Sequence, residues 1–357
     1  MSIDVTVVRP ATAIGQDGPV PDPTSSERPL ILLAMNGDRL RDQLLPPRLS
    51  ARLQAVGEVD LGTVVRSYDQ LPVDQLERVQ VIFGGWGVPK LDAAALDRMP
   101  RLQLVAYAAG SVRGFVTPET FARGVTVTTA AAANGVPVAE FTLALITLAN
   151  KQILEAVRAY RANEPKSELF DSSGNVDRTV GIIGASVIGR DVLGRLESLQ
   201  VRRLLADPTV DAAQAAALGA ELVDLDTLIA ESDVVSLHAP ILPSTIGMIG
   251  AEQIAAMKDG ATFINTARGV LVDHDALRAE LATGRISAML DVTDPEPLLP
   301  HDPMRSMPNV LLTPHLAGSH GLELRRMAES AVVEIERWAT GEPPRFGVTE
   351  ASLAVMA

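Results

Sequence analysis

The chain has 357 residues, 47% of them hydrophobic and 21% charged, a globular rather than disordered composition with length enough for two cores. Its 44 acidic residues outnumber its 31 basic ones for a net charge of −13, which argues against nucleic acid or an anionic membrane surface as a partner, since both select basic faces. Cysteine is absent, which removes disulfides, thiolate metal sites and cysteine nucleophiles and is compatible with a reducing, cytoplasmic setting.

In chain order, residues 1–28 hold four prolines and a polar PDPTSSER tract and are read as a loosely held extension; they have neither the basic start nor the apolar core of a signal peptide. Strands are predicted at 29–34, 79–83, 102–107 and 125–129, alternating with helices at 39–56 and 91–99, which gives a small parallel α/β domain. Residues 138–162 read as one long helix running between two domains. Its apolar run 141–149 is too short to span a bilayer. After a polar stretch near 171–177 the alternation restarts, with strands at 180–183, 201–206, 221–223, 234–237, 262–265, 286–290 and 310–313 and helices such as 211–218 and 274–281. This second set predicts a doubly wound parallel sheet. A last helix, 322–340, ends at Gly341 and a proline pair.

The segment VGIIGASVIGR at 180–190 is a strand running into a glycine turn and a helix, with Asp207 eighteen residues beyond Gly189. Gly184 would make the tight turn and Gly189 would let the helix pack closely, leaving the helix N-terminus to face a pyrophosphate. Ser186 stands where the fingerprint has its second glycine, the position that lets the backbone approach the phosphates. Ligands of doubly wound sheets lie beyond the carboxyl ends of the strands, where three residues stand out. Arg268 follows 262–265, Asp291 follows 286–290 with Glu296 five residues later, and His315 follows 310–313. An imidazole, a carboxylate and a guanidinium converging there make an acid-base site with an anion clamp. His238, His274, His301 and His320 lack metal-ligand spacing, so no metal is expected; His238 reads as near-site or structural and the other three as surface residues. Asp294 beside Glu296 suggests a paired-carboxylate hydrolase, but that chemistry has no need of a dinucleotide turn.

Together these residues resemble the D-isomer-specific 2-hydroxyacid dehydrogenases, over about 102–339. The markers are AAANGVPVAEFTLAL at 131–145, VGIIGASVIGR at 180–190, SLHAPILPST at 236–245, MKDGATFINTARGVLVDHDAL at 257–277, LDVTDPEPL at 290–298 and LLTPHLAGS at 311–319. The resemblance implies two Rossmann-like domains, a flavodoxin-like substrate domain (29–135 with 319–357) and an NAD-binding domain (136–318). It implies that Arg268 binds the substrate carboxylate, that His315 is the acid-base catalyst and that Glu296 is its partner. For the cofactor it implies Gly184, Ser186, Val187, Ile188 and Gly189 at the phosphates, Asp207 on the adenosine ribose, and Ala239 and Pro240 along the adenosine. Thr266 and Asp291 would meet the nicotinamide amide, with Ala267, Arg268, His315 and Gly318 lining the same groove. Asp207 would repel a 2′-phosphate, so the cofactor is expected to be NAD; Arg202 and Arg203 lie at the other end of that strand.

Family members read AGVGxDN where this chain has Ala109-Gly110-Ser111-Val112-Arg113-Gly114-Phe115. The N–H groups of Ser111 and Val112 would still hold the substrate carboxylate, in a reshaped pocket. Trp86, after a first-domain strand, either lines that pocket for an apolar group or packs under its loop. The expected partner is a small 2-keto or 2-hydroxy acid, and the resemblance implies a homodimer. Two alternatives stay open: an NAD(H)-sensing, non-catalytic protein of the same fold, and a dehydrogenase of another small anion such as phosphite.

Overall fold

A computed structural model describes residues 28–164 and 173–353 of the chain. The extension expected at 1–28 therefore lies, but for Arg28, outside the described residues, as do residues 171 and 172 of the polar stretch. Strands β1 (Leu30–Ala34), β2 (Glu58–Val59), β3 (Val79–Gly84), β4 (Leu104–Tyr107) and β5 (Thr126–Thr129) come first. Then follow β6 (Val176–Ile183), β7 (Gln200–Ala206), β8 (Glu221–Leu222), β9 (Val234–Leu237), β10 (Thr262–Asn265), β11 (Ser287–Leu290) and β12 (Val310–Leu312), and finally β13 (Gly347–Val348). They form two sheets, in the orders β13-β5-β4-β3-β1-β2 and β12-β11-β10-β9-β6-β7-β8. Every ladder is parallel except that of β13 with β5.

Parallel strands covered on both faces must be apolar throughout, and β1 (LILLA), β3 and β4 are buried along their whole length or nearly so. Alternate residues feed opposite faces of the first sheet: Leu32, Ile82 and Val105 one core, Leu33, Phe83 and Leu104 the other. The last long helix, Leu324–Ala339, sends Met327, Ala331 and Ile335 into that second core.

Two expected helices are interrupted. The stretch 39–56 divides into Asp38–Leu44 and Pro47–Val56. Pro46 and Pro47 lack N–H groups, and a residue before proline is pushed out of the α region, so Pro47 starts a new helix instead of continuing the old one. The stretch 138–162 begins earlier, as Ala131–Asn150, and a second helix, Ile153–Arg161, follows Gln152, which is left-handed at φ 52°. The first of these, at 20 residues, is long and apolar enough to cross a membrane by length and composition alone, a test that the core helix of a folded domain also passes. Its Ala139, Leu145 and Ile146 pack with Val180 and Ile182 of β6.

β13, too short to read in the sequence, is held by Glu334 of the last helix, whose carboxylate accepts from the Arg345 N–H at 3.0 Å while only 2% exposed. Burial pushes this carboxyl above the usual glutamate range, against the opposing effects of its hydrogen bonds and of Arg337 and Arg345. The folded state thus keeps the proton to higher pH than the unfolded chain, and stability falls as pH rises through that interval. Glu334→Gln, which preserves an acceptor, is expected to raise the melting temperature at pH 7 and to lose that advantage below the ordinary glutamate pKa; equal shifts at both pH values would contradict the charge argument.

Candidate functional site

The turn after β6 is shaped by contacts that tolerate no side chain. Gly184 has φ 95°, and a Cβ there would lie 2.8 Å from the backbone N of Ala239; one at Gly189 would lie 2.1 Å from the Gly184 carbonyl oxygen. Position 186 differs. Ser186 is extended, at φ −62° and ψ 173°, and N-caps the helix Val187–Arg195 by accepting from the Gly189 N–H at 3.3 Å. Its hydroxyl proton stays available to a phosphate oxygen, and nothing in the backbone demands glycine. Val187 is exposed at the head of this helix, while Ile188 turns toward Gly135 of the helix Ala131–Asn150.

Asp207, one residue past β7, closes the other side of the turn. Its Oδ2 accepts from Ala185 N–H at 2.6 Å, and its Oδ1 from the N–H and hydroxyl of Thr209 at 2.8 and 2.6 Å. Burial alone would raise its pKa, but the bonds from Thr209 and Ala185 outweigh that and hold the carboxyl below its ordinary range. A fixed anion beside the glycine turn suits ribose hydroxyls and repels a 2′-phosphate. Arg202 is occupied by Glu221 and Glu231 at 2.8 and 2.6 Å, and Arg203 donates to the Leu193 carbonyl, so neither offsets it. The cradle, the helix N-terminus and the carboxylate fit NAD.

Under the turn sits His238, fully enclosed and 2.9 Å from the Ser236 hydroxyl; burial pushes its pKa down to about 4, so the ring is neutral there. Ala239 abuts Gly184, and the Pro240 carbonyl accepts from the Thr245 hydroxyl at 2.6 Å.

Beyond the ends of β10, β11 and β12 the three groups singled out in the sequence come together. His315 Nδ1 lies 2.6 Å from Glu296 Oε1, with both side chains part-exposed. Since a carboxylate only accepts, Nδ1 carries a proton and Nε2 is the ring's other working atom. Arg268 is half-buried; burial lowers its pKa and the charge of Glu296 raises it, which puts the guanidinium within electrical reach of the pair. Arginine remains cationic throughout. Its Nη1 donates to the Ala267 carbonyl at 2.6 Å.

His315 has φ 54°, a left-handed conformation that costs an ordinary residue about 1–2 kcal/mol and so requires support from its surroundings. Asp291 supplies it. This carboxylate, 2% exposed, accepts from the Thr313 hydroxyl at 2.5 Å and from the N–H groups of Leu316 and Ala317 at 2.8 and 2.9 Å, while the Asp291 carbonyl accepts from His315 N–H at 2.9 Å. Thr266 is buried, its hydroxyl 2.9 Å from that of Thr142.

In the first domain, Val112 is a core residue and Ser111 is half-buried in the loop after β4. The Thr129 hydroxyl bonds the carbonyls of Ala109 and Gly110 in that loop. Trp86, on the loop after β3, is 39% exposed.

Sequence reasoning missed three residues. Asn265, wholly buried, staples the Arg268 turn by accepting from Ala267 N–H and donating to the Arg268 carbonyl, both at 2.9 Å. Asn134, in the first turn of the helix Ala131–Asn150, accepts from Ser319 N–H at 2.9 Å and so ties the β12 loop to that helix, beside Gly110 and Gly318. His274, expected on the surface, is buried, because it lies in the first turn of the helix His274–Thr283 and faces the 293–297 segment. His301 and His320 are exposed as expected, and among the described residues no cluster could hold a metal ion.

Two substitutions separate the turn's requirements. Gly189→Ala must push the helix off the turn and is expected to abolish measurable NADH binding in a fluorescence titration, whereas Ser186→Gly, which loses only a replaceable cap, is expected to keep it and to change stability by a few tenths of a kcal/mol, roughly. Comparable losses in both variants would make the serine hydroxyl a phosphate ligand in its own right.

Residues 143–317 match the family described as "D-isomer specific 2-hydroxyacid dehydrogenase, NAD binding domain". A D-3-phosphoglycerate dehydrogenase of Archaeoglobus fulgidus is 33% identical over 265 residues, 74% of this chain and 50% of that protein. The chain spans about half the length of the curated phosphoglycerate dehydrogenases heading its relatives. A glyoxylate reductase of Korarchaeum cryptofilum is 36% identical over 262 residues, 71% of this chain and 78% of that one. A phosphoglycerate oxidoreductase structure from Rhizobium etli superposes with a TM-score of 0.76 at 26% identity, covering 90% of this chain and 98% of that one. The glycine cradle, the Asp207 anion and these matches agree, and the chain belongs to the D-isomer-specific 2-hydroxyacid dehydrogenase family.

Proposed function

We propose that the protein is an NAD-dependent oxidoreductase that transfers a hydride between nicotinamide C4 and C2 of a small D-2-hydroxy acid or 2-keto acid. The observation that carries this reading is the 2.6 Å contact of His315 with Glu296 at the strand edge that also presents Arg268. Bound NAD supplies the hydride donor or acceptor. The chain's own residues do the rest. Arg268 holds the substrate carboxylate and polarises its carbonyl, helped by the N–H groups of Ser111 and Val112. In reduction His315 Nε2 delivers a proton to the ketone oxygen while Glu296 stabilises the imidazolium; in oxidation the neutral ring takes the hydroxyl proton. Asp291 uses three of about four carboxylate acceptor sites on the His315 loop, which leaves one toward the nicotinamide amide. Residues 29–135 with 319–357 are assigned to the substrate domain and 136–318 to the NAD domain, an assignment supported by the packing of the last helix on the first sheet.

A homodimer through 138–162 belongs to the same reading, supported by exposed Leu148, Val157 and Tyr160 on that segment. Light scattering is expected to give twice the chain mass, and a monomer would remove the contact from the proposal.

His315→Ala is expected to lower turnover by about 10²- to 10⁴-fold with NADH binding retained. Arg268→Ala is expected chiefly to raise KM for the keto acid. The assay is NADH absorbance with glyoxylate, hydroxypyruvate and phenylpyruvate, and with phosphite plus NAD in reverse. Tight NADH binding without turnover of any of these would replace the catalytic reading by a sensing one.

A further inference from the structure

Glu296 lies on an exposed segment, 294–297, which half-buried Thr293 leads into from buried Val292 and which ends at buried Leu298. Pro295 and Pro297 have no N–H, so of residues 294–297 only Asp294 and Glu296 can anchor the backbone by donating. The Asp294 N–H donates to His274 Nε2 at 3.2 Å. Nδ1 of the same ring lies 3.1 Å from the Val272 carbonyl. A carbonyl only accepts and an amide N–H only donates, so both partners require the neutral ring with its proton on Nδ1. The ring is itself fixed, being 7% exposed, in the first turn of a helix whose N-cap Asp273 accepts from the N–H groups of Asp275 and Ala276. Gly269, beside Arg268, presses on the same segment: a Cβ there would lie 2.1 Å from the Thr293 carbonyl.

We propose that His274 is a positioning residue for the acid-base pair, acting through the Asp294 amide to hold the Glu296 carboxylate against His315 Nδ1. This rests on the catalytic reading of Glu296 and His315. The stretch 268–274 then serves the site twice, presenting Arg268 to the substrate and fixing the segment that carries Glu296. No other residue type combines an Nδ1 donor to Val272 with an acceptor at the reach of Nε2; glutamine supplies only the second.

The test is a mutant cycle on the full chain with NADH and the best keto acid of the panel. His274→Leu is expected to lower kcat by about 10- to 100-fold, the scale of a misplaced catalytic group, with NADH affinity unchanged. His274→Gln is expected to recover most of it, and His274→Leu is expected to add little in a Glu296→Gln background. If His274→Leu fails to fold, the comparison of His274→Gln with His274→Asn, whose oxygen stops short of Asp294, carries the test, with glutamine active and asparagine impaired. Unchanged kcat in His274→Leu, multiplicative losses with Glu296→Gln, or equal rates for Gln and Asn overturn the proposal. Impaired Glu296→Gln with intact His274→Leu sinks this inference alone; an unimpaired Glu296→Gln sinks the catalytic reading with it.

Discussion

A parallel ladder obliges the chain to return to the starting edge before every new strand, so all carboxyl ends of such a sheet lie on one side. Both sheets here obey that constraint, β13 alone running the other way. The consequence is chemical. Ser186, Asp207, Ala239, Arg268, Asp291 and His315 each follow a strand of the second sheet by one to three residues, and Trp86 and Ser111 follow strands of the first. Residues scattered over more than 200 positions are thereby delivered to one edge of each sheet, and Asn134, close to Gly110, bonds Ser319 in the loop after β12.

Delivery to an edge does not yet make a site, since loops there are exposed and their backbone is free to choose among conformations. Buried polar side chains make the choice. Asp291 gathers the hydroxyl of Thr313 and the N–H groups of Leu316 and Ala317, holding His315 in a left-handed conformation it would not adopt alone. Asn265 does the same for the Arg268 turn, and His274 for the segment bearing Glu296. An unpaired polar group in such a place is costly, so each of these side chains couples the shape of a loop to the rigidity of the sheet beneath it.

The cofactor turn shows the same division between backbone and side chain. Gly184 and Gly189 are fixed by distances of 2.8 and 2.1 Å that no side chain survives, while Ser186 occupies an extended position and converts its hydroxyl into a helix cap. The departure from the fingerprint at 186 is therefore local chemistry and leaves the fold of the turn intact.

The sequence by itself determined the alternation of strands and helices, the two α/β domains, the glycine turn and the placement of Arg268, Glu296 and His315 beyond strand ends, because these are written in local periodicity and in short motifs. It did not determine the breaks at Pro46 and Gln152, the strand Gly347–Val348 or the burial of His274, each of which depends on what the chain packs against. Nor could it give the pairings that bring the site together. His274 meets Asp294 twenty residues away and Asn134 meets Ser319 at a separation of 185, contacts that exist only once the intervening strands and helices have packed.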